Sequence, residues 1–456
     1  MKKVIFIGYI KMIWNKYFHQ TLILSLPLIL SSFSQILLGI IDLLMVASLG
    51  VVAVASVAFV NILAPLMLTI SFGLSSAFLI KIAYAYGAKN VESGAEEFRY
   101  AMIFSVITGI AQCFFFIGLM FILAKLGQPE EVVAMTPPYL FWVALSLIPA
   151  TPALVLKSFT DAQNDPWAGV SILLATVILN IVLNYMLIHG HWGAPKLGLL
   201  GAGVATFIAR TMAFFAIFFY VFFRKKFRAY HPKKWFKPIK KSQLMDLLAM
   251  SLAISGQGLI MYGAFSITAI FMGIIGTVAL ASHQIALVCA MSGSIIPWGI
   301  SFAVTIRVGH ALGESKVHDT MSIFIGAQCL SGIVMGGVAA LFMLQGRALL
   351  GVFFTELELI DFTTSLLFIV GAYQLFDSSQ IISLGALRGY KDVYKPTMVL
   401  FSIFWLFALP FGAVLAFYLQ YGGLSLWVGL AIGIMVCAVT LTLRFICLYR
   451  LMLSRH

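Results

Sequence analysis

Residues 21–49 read TLILSLPLILSSFSQILLGIIDLLMVASL, an apolar run interrupted by one acid, Asp42, and a few small polar residues. A helix that crosses a bilayer needs about 20 apolar residues, so this run is long enough to span it. No small-residue cleavage site ends the run, which favours a membrane span over a cleavable signal peptide. The first apolar segment is therefore predicted to be a transmembrane helix.

The composition of the whole chain agrees with this prediction. Of the 456 residues, 62% are hydrophobic and 10% are charged, whereas soluble domains are about 45–50% apolar and about 25% charged. So few charges exclude an ordinary soluble domain. The apolar runs predict an all-α integral membrane protein with twelve transmembrane helices. The predicted spans are 17–48, 52–83, 99–124, 134–158, 166–190, 198–223, 245–274, 278–306, 320–345, 362–387, 396–420 and 424–447.

The positions of the basic residues predict the orientation of these spans. Of the 29 Lys and Arg, 25 lie in the N- or C-terminal segment or in the loops after even-numbered spans, counting the span ends that border these segments. The opposite loops hold Lys125, Lys196 and Arg347, and Arg210 lies within span 6. Because cytoplasmic loops carry the excess of Lys and Arg, both termini are expected in the cytoplasm. The net charge of +13 therefore reflects topology and attraction to anionic lipid, not binding of nucleic acid.

The sequence also contains an internal repeat. One constant shift along the chain aligns VVAVAS at 51–56 with TVALAS at 277–282, and Lys81 with Arg307. Each repeat holds six spans, an even number, so the halves are parallel. Parallel repeats occur in secondary transporters, whose sites lie between the repeats. We therefore expect two parallel six-helix lobes around a central cavity. The predicted division is 1–223 for the N-lobe, 224–244 for a solvated basic linker and 245–456 for the C-lobe.

Two acids lie within predicted spans, Asp42 in span 1 and Asp377 in span 10. An ionisable residue inside a bilayer costs about 2.5–3.5 kcal/mol on insertion scales, which makes each acid a candidate functional group. Neither acid has a basic residue within one turn of its own span. The alternative interpretation is structural, with a neutral acid forming a hydrogen bond between helices.

Three more polar residues are expected at the depth of Asp42. Asn180 and Asn184 have the i, i+4 spacing that places both amides on one helix face, and Thr206 lies at matching depth in span 6. A carboxylate, two amide carbonyls and a hydroxyl are hard oxygen ligands that suit an alkali cation such as Na⁺. The same carboxylate could instead carry a proton. The alternative is that these groups are polar contacts between packed helices.

Other polar residues in the spans allow two interpretations. Gln257, His283 and Gln284 could line a cavity, or they could be packing partners within the protein. Arg210 could pair with an acid on another helix, or its side chain could extend to the membrane surface.

Motifs of several enzyme and ATPase classes are missing from the sequence. It contains no GxxxxGK[ST] phosphate loop, which argues against energy from bound ATP. It also lacks HExxH, CxxC and GxSxG, the motifs of common metal and nucleophile sites. We therefore expect a protein that is not an enzyme and needs no cofactor apart from a coupling ion, Na⁺ or H⁺.

A series of motifs resembles the multidrug and toxic compound extrusion (MATE) family, most closely its bacterial multidrug-exporter branch. The resemblance extends from Leu24 to the end of span 12. The motifs are GIIDLLMVASLG at 39–50, Asn180 with Asn184, ASHQIAL at 281–287, IRVGHALGE at 306–314 and LRGYKD at 387–392.

The resemblance implies a function and a site. It implies two lobes that alternate between inward-open and outward-open states and export small organic cations in exchange for Na⁺ or H⁺. It also implies a multi-pass protein of the bacterial cytoplasmic membrane, surrounded by lipid. Because a two-lobed transporter can work alone, we expect a monomer without an obligate protein partner. Residues matching the family's N-lobe cation site are Asp42, Asn180, Asn184 and Thr206, and Asp377 matches its C-lobe acid.

One position departs from the family pattern. Exporters of this branch often carry a glutamate on helix 7, upstream of the HQ pair, and the residue at the corresponding position here is Met261. A thioether binds neither Na⁺ nor H⁺ in the way a carboxylate does. We therefore expect ion coupling to run mainly through Asp42, with Asp377 tuning the charge of the cavity for cationic substrates.

Two further functions remain open at this stage. A flippase for lipid-linked precursors would need a strongly cationic central cavity, which one intramembrane arginine and two acids do not favour. A passive channel is the other alternative. Transport that ignores both a sodium gradient and a pH gradient would identify it.

Overall fold

The computed structural model describes residues 17–121, 129–235, 237, 238 and 240–454. Within this part of the chain, twelve helices are long and apolar enough to cross a membrane, as predicted. Lys125 lies outside the described residues. The helices are α1 His19–Ala47, α2 Val51–Gly87, α3 Val91–Met120, α4 Glu130–Ala162, α5 Pro166–His189, α6 Leu199–Phe223, α7 Lys241–Ile275, α8 Thr277–Gly313, α9 Val317–Gly351, α10 Leu357–Gly389, α11 Tyr394–Tyr418 and α12 Gly423–Leu453.

Several helices extend beyond the apolar runs that predicted them. Helix α3 begins at Val91, whereas the predicted span begins at 99. The Asn90 side chain accepts a hydrogen bond from the Ser93 N–H and caps the helix. The fourth begins at Glu130, directly after Pro129. Capping groups and turn residues set these ends, whereas hydropathy marks only the apolar part of each helix.

The contacts of the chain form two compact units. The N unit is Leu30–Ser255, and the C unit comprises the described residues up to Ile29 together with those from Gly256 onward. Most of α1 thus belongs to the N unit and most of α7 to the C unit, while the first part of each groups with the other unit. The predicted division at 223 and 245 is a division of the sequence into repeats and stays a prediction.

The two units have the same internal arrangement. In the N unit, α4 is the central helix and packs against α2, α3, α5 and α6, while α5 packs against α6. In the C unit, α10 packs against α8, α9 and α12, while α11 packs against α12. Each helix in the second set lies six places after its counterpart in the first. The sequence repeat is therefore also a repeat of packing.

Turns at the helix ends repeat as well. Lys89 after α2 and Ser315 after α8 have left-handed φ angles of 53° and 60°. Asn164 after α4 and Lys391 after α10 have φ angles of 56° and 60°. In each of the four turns, the next N–H donates to the carbonyl five residues earlier, the closure of a Schellman motif. The separation within each pair is nearly the same shift that aligns the two halves of the sequence.

The sequence predicts a solvated linker over 224–244, and in the structure α7 begins at Lys241, so that residues 224–240 connect the two repeats. Their basic side chains are indeed exposed, but Phe227 and Tyr230 are buried. The Tyr230 ring packs against Gly94 of α3 and lies 6.3 Å from the Tyr86 ring. The linker is therefore held to the N unit by its aromatic residues.

Candidate cation and substrate sites

The centre of the N-unit site is a hydrogen bond between α1 and α5. The Asn184 amide Nδ2 donates to Asp42 Oδ1 at 2.7 Å and to Asn180 Oδ1 at 3.0 Å. Both asparagines are completely buried, whereas Asp42 is half-buried. The structure thus brings together three of the four residues that the sequence predicted for cation coupling.

Two atoms of this cluster have no hydrogen-bond partner in the described part of the chain. They are Asn184 Oδ1 and Asn180 Nδ2. An unpartnered buried polar atom costs about 1–3 kcal/mol, so the present arrangement leaves the amide pair incompletely satisfied. Rotation of both amides would place the Asn184 carbonyl against Asp42 and the Asn180 N–H against that carbonyl.

Helix α6 supplies the fourth predicted residue, Thr206, and an arginine one turn further on. The Thr206 hydroxyl donates to Ala202 O at 3.0 Å within its own helix, and its oxygen can still accept a hydrogen bond or contact a cation. Arg210 Nη1 donates to Ser146 Oγ on α4 at 2.8 Å. The i, i+4 spacing puts Thr206 and Arg210 on one face of α6.

Arg210 is also close enough to Asp42 to interact with it electrostatically, and so is the buried hydroxyl of Tyr139. Tyr139 and Ser146 lie two turns apart on the same face of α4. The sequence argument left the partner of Arg210 open and did not include Tyr139. The signal available in the sequence is a basic residue one helical turn after Thr206.

The C-unit acid lies in a second polar cluster. Asp377 is 5% exposed, and its Oδ2 accepts a hydrogen bond from Ser294 Oγ of α8 at 2.8 Å. One turn before it, Gln374 Nε2 donates to Ala290 O at 3.3 Å. One turn after it, Gln380 Nε2 lies 3.9 Å from the Met261 sulfur. The amide oxygens of both glutamines have no partner among the described residues.

This cluster includes Met261, the residue at the position where the family pattern has a glutamate. A thioether is a weak hydrogen-bond acceptor and carries no charge. Its neighbour Gln380 is neutral as well. Neither residue therefore places a second acid beside Asp377. The cluster thus offers one carboxylate, one hydroxyl and two neutral amides.

Gln257 contacts protein at both ends of its amide. Its Nε2 donates to Thr397 Oγ1 at 3.1 Å and to Val393 O at 3.3 Å, and its Oε1 accepts from Arg388 Nη2 at 2.7 Å. The side chain is 2% exposed. Because its donors and acceptor are already bonded, this geometry matches the packing interpretation of Gln257.

The adjacent residues His283 and Gln284 have different surroundings. His283 is completely buried, and its Nδ1 accepts a hydrogen bond from Trp427 Nε1 at 3.2 Å. The two rings lie 5.4 Å apart. Gln284, one position further on α8, is exposed. Within this pair, only Gln284 presents a free surface to a ligand.

Comparisons with known proteins agree with the repeat. The sequence profile of the MatE family matches residues 27–186 and again residues 253–414. A probable multidrug resistance protein NorM of Bradyrhizobium diazoefficiens is 33% identical over 434 residues, which are 94% of this chain and 93% of that protein. Its counterpart in Agrobacterium fabrum is 31% identical, over 96% of this chain and 95% of that protein.

Solved structures show the same fold. A MATE protein in the bent conformation superimposes with a TM-score of 0.88 at 19% identity, over 98% of both chains. The Vibrio cholerae MATE transporter VcmN in its bent form gives a TM-score of 0.86 at 18% identity, over 96% of this chain and 98% of that one. With the profile matching both halves and NorM relatives matching nearly the full length, the chain belongs to the MatE family.

Proposed function

We propose that this protein exports organic cations and drugs across a bacterial cytoplasmic membrane in exchange for Na⁺ or H⁺, by alternating access. The observation that carries the proposal is the contact of Asn184 Nδ2 with Asp42 Oδ1 at 2.7 Å. This contact joins a carboxylate to one member of a pair of buried amides, in a chain whose NorM relatives are named as multidrug resistance proteins. Both termini and the linker would lie in the cytoplasm, because the basic residues concentrate there.

The amide pair supplies a means of sensing the coupling ion. In the present arrangement the Asn184 N–H group faces Asp42, as an ionised carboxylate requires, because it accepts hydrogen bonds and donates none. Na⁺ at Asp42 would require a carbonyl oxygen there, and a protonated carboxyl would also need an acceptor. Both ions therefore favour rotation of the Asn184 amide, and Asn180 rotates with it to keep their mutual hydrogen bond.

The rotation changes the hydrogen bond between α1 and α5: its donor and acceptor differ between the state with the ion bound and the state without it. A ligand shifts a conformational equilibrium only if it binds the two states with different affinity. Ion binding from outside would favour one set of α1–α5 contacts, and drug binding at the polar cluster around Asp377 would favour the other. No cofactor, ATP, nucleic acid or protein partner enters this scheme, and a monomer is sufficient for it.

The test is transport of ethidium by the purified protein in proteoliposomes, under separately imposed sodium and pH gradients. We expect one of the gradients to drive uptake or efflux, and Asp42→Asn to abolish the driven component. Asp361→Asn is a matched control, because Asp361 is 57% exposed and pairs with Arg347 at 2.9 Å on the surface. A rate of ethidium movement that neither gradient changes would identify a passive channel. Movement of lipid-linked precursors but not of ethidium would identify a flippase.

A further inference from the structure

A groove of about 380 Å³ lies between α3 and α6 in the N unit. Its walls are Met102, Ile103 and Val106 of α3 and Phe218 and Phe222 of α6, and Trp235 of the linker closes one end. The helices α3 and α6 both pack against α4, which explains the gap between them. All the lining side chains are apolar or aromatic.

The linker segment next to Trp235 is basic. Lys233 and Lys234 directly precede Trp235 in the chain, and both are exposed. Glu96, near the start of α3, is already paired through its Oε1 with Lys237 Nζ at 3.2 Å. An apolar groove with excess positive charge at one end is complementary to a molecule with an acyl chain and an anionic headgroup. The same charge disfavours a cationic drug.

The linker is fixed at this end by specific contacts. Arg99 of α3 is 2% exposed, and its Nη1 donates to Lys237 O at 2.6 Å and to Trp235 O at 3.3 Å. The Trp235 ring lies 6.4 Å from the Phe222 ring, and the His231 ring stacks on Phe222 at 4.7 Å.

Burial lowers the pKa of His231, so this ring is neutral at pH 7 and can pack against Phe222. The lysines are thus held at a defined position by a docked segment of the linker. Trp residues at the boundary between apolar and polar regions are also typical of membrane interfaces.

We propose that this groove is a binding site for an anionic phospholipid, with an acyl chain between α3 and α6 and the phosphate against Lys233 and Lys234. Arg99 positions the linker and does not contact the lipid. The site is separate from the polar clusters of Asp42 and Asp377, and its occupancy does not depend on the proposed export function.

The experiment is native mass spectrometry of the delipidated full-length protein with phosphatidylglycerol or phosphatidylcholine of identical acyl chains. We expect a clear preference for phosphatidylglycerol. Each lysine near an anionic lipid contributes about fivefold in affinity. Lys233→Gln with Lys234→Gln should therefore lose most of the preference. The matched control is Lys89→Gln with Lys225→Gln, which removes the same charge at exposed positions outside the groove and should retain the preference.

The groove itself is tested by Val106→Trp, which fills it at a position that is 40% exposed. We expect at least a tenfold loss of phosphatidylglycerol binding. Ile107→Trp is the control, because Ile107 is 53% exposed and does not line the groove. Equal binding of the two lipids by the unmodified protein, or equal binding by the two tryptophan variants, would overturn the proposal.

A second measurement uses the unmodified protein and so does not depend on the folding of any variant. Phosphatidylglycerol with a photoreactive acyl chain should label peptides containing 102–106 and 218–222. Labelling confined to other helices would contradict the site.

Discussion

Lys81 Nζ of α2 lies 2.7 Å from Asp246 Oδ2 of α7, and the repeat reproduces this contact in the C unit. The repeat aligns Lys81 with Arg307 of α8 and Asp246 with Gln20 of α1, and Arg307 Nη2 donates to Gln20 Oε1 at 2.9 Å. In the N unit, Lys81 thus contacts the first turns of α7, and the rest of α7 belongs to the C unit. In the C unit, Arg307 contacts the first turn of α1, and the rest of α1 belongs to the N unit. The position of the contact is preserved, although the partner of the basic residue is a carboxylate in one unit and a neutral amide in the other.

The same correspondence holds for backbone packing about two turns earlier in α2 and α8. A Cβ atom on Gly73 would lie 3.0 Å from the Ser255 nitrogen, and one on Gly299 would lie 2.8 Å from the Ile29 nitrogen. The repeat aligns Ile29 with Ser255 by the same shift. The aligned glycines of the sequence repeat therefore mark places where α2 and α8 closely approach another helix.

The first prediction concerns the ion pair of Lys81. This residue is 7% exposed and also lies 3.3 Å from Glu97, which is 14% exposed, whereas Asp246 is 56% exposed. Lys81→Met removes the cation beside the poorly hydrated Glu97 carboxylate, and we expect a loss of about 1–3 kcal/mol of stability. Asp246→Asn should cost about 0–1 kcal/mol, as exposed pairs do. Thermal unfolding of the purified variants measures both losses of stability. Equal losses would contradict the inference that Lys81 stabilises the protein mainly through Glu97.

The second prediction separates the two asparagines of α5. Asn184→Leu removes both donated hydrogen bonds, including the one to Asp42, whereas Asn180→Leu leaves the contact between Asn184 and Asp42 in place. Under the proposed function, we expect ion-driven ethidium efflux to fall at least tenfold in the first variant and by a smaller factor in the second. Initial rates at matched protein levels check this. An equal or reversed effect would show that the Asp42 contact does not set the coupling.

The third prediction concerns Arg210. Its positive charge interacts with Asp42 and opposes binding of a cation at the same carboxylate. In Arg210→Gln the coupling ion should therefore bind more tightly, so that half-maximal transport is reached at a several-fold lower ion concentration. Tighter binding also slows release of the ion, and the maximal rate should fall. Arg210→Lys keeps the charge and is the control. If both variants change the rate without changing half-saturation, the role of Arg210 is confined to its hydrogen bond with Ser146.

The twelve helices and their repeat could be predicted from the sequence because hydropathy and glycine positions are local properties. The cluster of Asp42, Asn180 and Asn184 could also be predicted, since depth in the membrane restricts which residues meet. The contributions of Ser146 and Tyr139 could not, because both lie on α4 among four prolines and many apolar residues. No spacing rule indicates which face of α4 turns toward α6.

The linker shows a different limit of sequence reasoning. Its basic composition predicts solvation, and the charged ends of the side chains are exposed as expected. Phe227 and Tyr230 nevertheless become buried because they pack against the N unit. Such docking depends on a complementary surface elsewhere in the chain, which composition does not reveal.

The fourth prediction tests the histidine and glutamine of the ASHQIAL motif. His283→Ala would leave the Trp427 N–H buried without its acceptor, at a cost of about 1–3 kcal/mol. We expect reduced thermal stability with the same order of preference among substrates. Gln284→Ala removes an exposed side chain and should preserve stability. A change in substrate preference in the histidine variant at unchanged stability would restore the cavity-lining interpretation of His283.

The final prediction concerns the charge moved in each transport cycle. Met261 removes the acid expected beside Asp377, so the proposed coupling uses a single carboxylate, Asp42, and one Na⁺ or H⁺ per cycle. Exchange of one such ion for one singly charged ethidium moves no net charge, and a membrane potential should leave the rate unchanged. A neutral substrate moves one charge per cycle and should gain about 2.3 kcal/mol of driving force per 100 mV. Proteoliposomes with the potential set by valinomycin and potassium allow both measurements.

Acceleration of ethidium transport by the potential would require a second coupling ion, and the polar cluster around Asp377 would then be the place to seek it.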